Sequence, residues 1–333
     1  MSSATPKDHY VPQFYLDPFA IEGSGTNEPH IYQYMVDKIV EPRIKDVAGE
    51  KHFYTFKNKE TGKPNRDIDD FFTKIESNAS NPLKKIIQEE TLNLTDEEFE
   101  HLSIFFAVLA VRTPGFIKAQ ESFEGEAIKE FYALDSINKK KLKERYKKVG
   151  ISFTDQELIE QQKFILEKKY TVSFNNSRAY FLSNGLKVAC EFAEWYYQRK
   201  HWHLLVSDSS TVFVTSDNPI SIYRPIYVPP AQNAGYGNGT LLIPISPKYA
   251  LLLRDLPLKQ KVIKLSSQKV INTNKNTMQF SDNYIFSNLK SKKIFELYKS
   301  VGNKKFQKTN VTRMTWAPYI FMGPPPVPQE FLY

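Results

Sequence analysis

The chain holds 333 residues, 41% of them hydrophobic and 14% aromatic, so it can bury a large core without covalent staples. A single cysteine excludes an intrachain disulfide and a cysteine-built metal cluster, and the lack of any run of ~18 apolar residues argues against a membrane span. The formal charge of +8 is compatible with a polyanionic partner but modest for this length.

The first ten residues lack the apolar run of a secretory signal, so a soluble, cytoplasmic protein with no membrane partner is expected. The stretch His9-Tyr10-Val11-Pro12-Gln13-Phe14-Tyr15-Leu16 then packs polar groups among aromatics. His9 and Gln13 can each donate and accept hydrogen bonds, and Pro12 stiffens the backbone between them, which predicts a segment docked on the body. Alternating apolar and polar positions over 30–56 predict a hairpin of two short strands, 30–34 and 41–46.

From about residue 66 to residue 200 the spacing becomes helical. Thr95 with Glu98, and Thr154 with Glu157, form capping boxes that mark two helix starts. Phe99, Leu102, Phe105, Phe106 and Leu109 make one helix apolar over most of its circumference, hence central, and it stops at Arg112-Thr113-Pro114. On the preceding helix Glu76 stands on the apolar side, four residues before Ser80-Asn81-Pro82 interrupts the pattern. A carboxylate there needs a partner, and Arg112 is the nearest bland choice; the alternative for Arg112 is a substrate phosphate or carboxylate.

Residues 139–148 set seven basic side chains against Glu144 alone, and 288–308 set seven lysines against Glu296 alone. Both read first as solvated faces and second as attractors of nucleic acid or nucleotide. Cys190, inside the apolar helical stretch 188–193, reads as a core thiol.

After residue 200, strands are predicted at 202–206, 212–215, 220–223, 241–245 and 249–254, forming an antiparallel sheet. A long loop covers 225–239, helices follow at 266–279 and near 288–300, and the chain closes on a proline-rich tail. The expected fold class is α+β: a mainly helical middle flanked by a short N-terminal hairpin and a C-terminal antiparallel sheet, as a single domain over 1–322 with a tail at 323–333. Within it, Thr215-Ser216-Asp217-Asn218-Pro219 ends a strand with an acid, which suits a ligand or metal and equally suits a turn whose carboxylate caps backbone N–H groups. His201 and His203 flank Trp202 at a spacing that on a strand points both imidazoles the same way, which could make half a metal site but at a strand edge is more often no site at all, and Asn272, Asn274 and Asn276 read as surface or capping groups.

His9 to Leu16, Arg112-Thr113-Pro114, the 215–219 motif and Ile245-Ser246-Pro247-Lys248-Tyr249-Ala250-Leu251-Leu252-Leu253, taken together and in this order, resemble the bacterial domain-of-unknown-function family 4238. The resemblance implies one full-length domain, a bacterial or phage setting, and a pocket shared by His9, Gln13, Glu76, Arg112, Asp217 and Asn218. Three functions use that set. The first is a hydrolase of nucleic acid or a nucleotide, with phage defence as its setting: Glu76 and Asp217 hold Mg²⁺ or Mn²⁺, His9 is ligand or general base, Arg112 faces the phosphate, and Gln13 and Asn218 join His9 and Arg112 as catalytic residues. The second is a non-catalytic sensing or binding module in which the same residues form a structural network. The third is a transferase or hydrolase of another small substrate, without metal.

Overall fold

The structure is a computed structural model that describes residues 7–23, 28–54, 56–57, 64–65, 67–174, 177–207, 210–223, 236 and 239–302. The proline-rich tail, the boundary at residue 322, almost all of the 225–239 loop and the lysines after residue 302 lie outside the described residues.

The chain begins with β1 (Lys7–His9), a single helical turn α1 (Gln13–Leu16) and a 3-10 turn at Asp17–Phe19, followed by β2 (Tyr32–Tyr34), β3 (Ile39–Val40), a second 3-10 turn at Ile44–Asp46 and β4 (Gly49–Lys51). Two short paired strands, β5 (Phe56–Lys57) and β6 (Pro64–Asn65), lead into the helical part. A hairpin is present as β2 and β3, but its second strand, Ile39–Val40, lies wholly before the predicted 41–46, which forms no strand. Pro42 has no N–H to give a ladder, and after a lone bridge between His30 and Arg43 the chain tightens into the turn at Ile44.

The helical middle comprises α2 (Asp67–Glu89), α3 (Asp96–Val111), α4 (Pro114–Ser136), α5 (Lys139–Lys148), α6 (Asp155–Glu167) and α7 (Ser177–Gln198). Both capping boxes are formed, with the Thr95 and Thr154 hydroxyls accepting from the Glu98 and Glu157 N–H groups and the two glutamates reaching back. Helix α2 opens on Asp67, Asp69 and Asp70, which suit the positive end of its dipole, and runs through Pro82 instead of stopping there. Arg112-Thr113-Pro114 serves as both stop and start: Arg112 leaves helical geometry, the Thr113 hydroxyl accepts from Phe116 N–H, and Pro114 fills the first position of α4, where no N–H is needed. Helix α3, buried on most faces from Leu102 onward, packs between α2 and α7.

The C-terminal part adds β7 (His201–Ser207), β8 (Thr215–Ser216), β9 (Ser221–Tyr223), β10 (Thr240–Pro244), β11 (Tyr249–Arg254), β12 (Val262–Leu265), α8 (Ser267–Phe280), β13 (Ile285–Ser287) and α9 (Lys292–Gly302). One sheet has the order β12-β7-β11-β10-β9, antiparallel except where β12 runs parallel to β7. Its strands alternate between two cores: Leu204, Ile243 and Leu251 face the main core with α3, while Leu205, Leu242 and Leu252 face a smaller one with α8. The segment 212–215 does not join this sheet, contrary to expectation. Only its last residue, Thr215, enters a strand, forming β8 with Ser216 in a second sheet, β3-β2-β13-β8, which joins the N-terminal hairpin to the C-terminal strand and is covered by α9. The fold is thus α+β, and its main hydrophobic cluster extends from Tyr10 to Phe286.

Two sequence readings need correction. Cys190 is exposed, because Ala189 faces the core and the next residue is turned ~100° away from it. Asn274 and Asn276 are buried: Asn274 accepts from Val214 N–H at 3.1 Å and donates to Val212 O at 2.8 Å, and Asn276 donates to Ser221 Oγ at 2.8 Å. His203 is buried with Nδ1 2.8 Å from Gln260 O and Nε2 accepting from Leu258 N–H at 3.3 Å, so both ring nitrogens are engaged within the fold.

Candidate functional site

The N-terminal stretch lies across the body as a strap. Strand β1 pairs with β4 in a register that opposes His9 to Gly49, and Tyr10 N donates to Ala48 O at 3.0 Å. A Cβ at position 49 would press on Asp8 O and the His9 ring, so glycine permits that approach. Asp8 is buried and its carboxylate accepts from Tyr54 N–H at 2.8 Å. His9 is half-buried, with Nε2 3.1 Å from Lys45 O, and burial pulls its pKa below the usual 6.5. Tyr15 is fully buried; its hydroxyl donates to Pro244 O and lies 3.5 Å from Thr215 Oγ1.

Arg112 is 1% exposed at the end of α3. Its Nε donates to Tyr10 O at 3.0 Å, its Nη1 to Glu76 Oε1 at 2.8 Å, and its guanidinium lies 5.0 Å from the centre of the Phe72 ring. Nη2 has no hydrogen-bond partner among the described residues. The expected Glu76–Arg112 ion pair is therefore formed, and the same guanidinium ties the strap to α2 and α3.

Asp217 is also 1% exposed. Its two carboxylate oxygens accept from the N–H groups of Asp282 at 2.8 Å, Asn283 at 2.7 Å and Tyr284 at 3.2 Å. Burial, reinforced by the neighbouring Asp282 carboxylate, pushes its pKa up to about 7 against the pull of those three N–H groups. Asp282 in turn lies over the first turn of α4, so close that a Cβ on Gly115 would collide with both of its oxygens. Asn218 completes a tight turn, with its N–H donating to Ser216 Oγ at 3.2 Å, Ser216 Oγ donating to Asn218 O at 2.7 Å, and its own amide donating to Phe280 O at 3.1 Å. Of the six predicted site residues, Glu76 and Arg112 are bonded to each other, and His9 senses the charge of both. The buried Tyr10 links the two halves, giving its carbonyl to Arg112 and placing its phenol in the field of Asp217. Gln13 is exposed at the start of α1 and shares no hydrogen bond with the others.

The donor set does not fit an octahedral cation. Asp217 spends its oxygens on three backbone N–H groups, Glu76 is committed to Arg112, and among the described residues no three His, Cys, Asp or Glu side chains converge on one point.

Three of the four motifs quoted from the sequence thus meet in space: the strap grips Arg112, touches Thr215 and bonds Pro244 just before the fourth motif, and the 215–219 turn reaches the start of α4 through Asp282. A family model described as "Protein of unknown function (DUF4238)" matches residues 7–291. The chain belongs to this family. No curated protein and no solved structure matches the chain. In this DUF4238 chain the residues that sequence reasoning missed are Asp282, Gly115 and Tyr15. A signal existed for the first: Ser281-Asp282-Asn283 repeats Ser216-Asp217-Asn218, and the two tripeptides face each other. Also missed was a groove of about 640 Å³ between α2, α3 and α7, lined by Phe71, Ile104, Val108, Leu186, Cys190 and Tyr197 among others. Among the described residues no single helix is long and apolar enough to cross a membrane.

Proposed function

We propose that this protein is a non-catalytic binding module whose polar constellation is a clamp that holds the N-terminal strap to the body. The observation carrying this reading is the state of Asp217, shut away from solvent with both oxygens spent on backbone N–H groups. A catalytic carboxylate must reach a substrate, whereas one bonded in this way orders a chain segment. Arg112 supports the same view, since its guanidinium joins the strap carbonyl to Glu76 inside the core.

The test sets stability against activity. Purified protein, His9→Ala and Asp217→Ala are compared by thermal unfolding and by cleavage of labelled DNA, RNA and nucleotides, with Mg²⁺, with Mn²⁺ and with chelator. The clamp reading expects a large loss of melting temperature in both variants and no cleavage by any of them. Cleavage by the wild type that disappears in variants still folded would overturn it.

A second reading, a metal-independent hydrolase acting on nucleic acid or a nucleotide, draws on two observations. A carboxyl near 7 can hold or release a proton at neutral pH, and Arg112 Nη2 has a donor to spare among the described residues. In this version His9 is the base, Arg112 faces the phosphate, and cleavage persists in chelator.

A further inference from the structure

The strongest unexplained surface lies away from the clamp, on α4, α5 and α6. These three helices pack on one another, with α4 also running along α7, around a small core of Leu142, Leu158 and Ile165. The arm carries much of the molecule's exposed apolar surface. Leu134 is 68% exposed, Ile137 64%, Val149 68% and Phe131 60%, far beyond scattered surface leucines. Leu134 and Ile137 precede α5 in the chain and Val149 and Ile151 follow it, so exposed aliphatic side chains bracket this helix at both ends.

Between those brackets α5 reads Lys-Lys-Lys-Leu-Lys-Glu-Arg-Tyr-Lys-Lys. Lys143 is paired with Asp155 and Arg145 with Asp135, while Lys140, Lys141, Lys147 and Lys148 are exposed and make no ion pair among the described residues. Arg145 brings this charge onto the apolar face, with its guanidinium 5.9 Å from the Phe131 ring centre and 5.8 Å from that of Tyr132.

We propose that the α4–α6 arm docks on a membrane surface rich in anionic phospholipid, with α5 against the headgroups and the flanking aliphatic and aromatic side chains entering the interface. Unpaired lysines attract such a surface, and aliphatic groups gain by leaving water for the acyl boundary. Nucleic acid would satisfy the lysines but offers little to Leu134, Ile137 and Val149. A second copy would satisfy the apolar groups, yet a two-fold contact would set two strongly basic α5 helices near each other. The expectation of no membrane partner rested on the length of apolar runs, which bears on spanning and not on surface docking. The proposal is independent of how the clamp is read, since none of its residues belongs to the clamp.

The experiment is co-sedimentation of the full chain with vesicles of phosphatidylcholine alone or mixed with phosphatidylglycerol, at low and high salt. Two exposed-surface variants accompany it, Leu134→Ser/Ile137→Ser/Val149→Ser and Lys140→Glu/Lys141→Glu/Lys147→Glu, each checked by circular dichroism. The expected result is binding to the phosphatidylglycerol vesicles only, weakened by salt, and reduced about tenfold or more by either triple change. Failure of the wild type to bind at low salt overturns the proposal, as does an apolar variant that binds as tightly as wild type. Tighter binding to duplex DNA that the apolar variant leaves untouched would reassign the surface to nucleic acid. Self-association in the absence of vesicles, abolished by the apolar variant, would reassign it to a second copy.

Discussion

Asp217 makes its presence felt through pH. Its carboxyl is raised from the ordinary 3.8 to about 7, so between those values the folded chain keeps a proton that the unfolded chain has released. Stability from this group is greatest below the unfolded value and falls as pH rises through the window, by up to about 1.4 kcal/mol per pH unit. Urea unfolding at about pH 5 and about pH 7 should show the wild type weaker at the higher pH and Asp217→Asn much less pH-dependent. Equal slopes in the two proteins would mean that Asp217 stays ionised throughout. His203 works in the opposite sense. Burial lowers its pKa below 6.5 and Nε2 accepts from Leu258 N–H, so its contribution is present above 6.5 and is lost as pH falls. The Glu76–Arg112 pair gives a second residue-scale prediction. Glu76→Ala strands a buried guanidinium and should cost ~3–5 kcal/mol in urea unfolding, while Glu76→Leu combined with Arg112→Met should recover much of it. If the double variant is no better than the single, the Tyr10 carbonyl rather than Glu76 is what Arg112 serves.

Elements meet at joints, and the start of α4 is one of them. Gly115→Ala pushes a methyl into the Asp282 carboxylate and should cost ~1–3 kcal/mol, with Asp282→Ala in the same chain relieving most of the strain. Absence of that relief would mean that the crowding lies elsewhere. Helices α5 and α6 rest on only three buried side chains, so their amides should exchange with solvent well before those of α3, as hydrogen-exchange mass spectrometry would read. How much of this was legible follows the range of the forces. The capping boxes, the buried α3 and the Arg-Thr-Pro break were legible because each is decided within one turn of chain. The Glu76–Arg112 pair was legible because two apolar helix faces each carried one charge in need of the other. Asn274 was not, since a polar side chain in a helix shows nothing of the extended segment it will grip some sixty residues earlier. Cys190 misled because an apolar neighbourhood in sequence spans every face of a helix.

At the scale of the whole molecule the strap is a large commitment. Tyr10, Val11, Tyr15, Leu16 and Phe19 are all 6% exposed or less. At ~1.5–3 kcal/mol for each buried side chain, their sum approaches the entire ~5–15 kcal/mol by which a domain is stable. Removing residues 1–19 should therefore leave no cooperative unfolding transition by circular dichroism, and a truncated chain that still melts sharply would show the body to be self-sufficient. That the first motif docks was legible from its aromatics; that its destination is Pro244 and Thr215 was not, because no local pattern encodes a partner so distant.

The second sheet sets the timetable of synthesis. Strand β2 leaves the ribosome early, but its neighbour β13 is among the last described strands to be made, and the Tyr34 hydroxyl must wait for Leu289 O, 255 residues later. At ~5–20 residues per second that is roughly 13–50 s during which a strand with two tyrosines and an open edge is bare on a growing chain. Any pause between the codons for β2 and β13 lengthens that exposure.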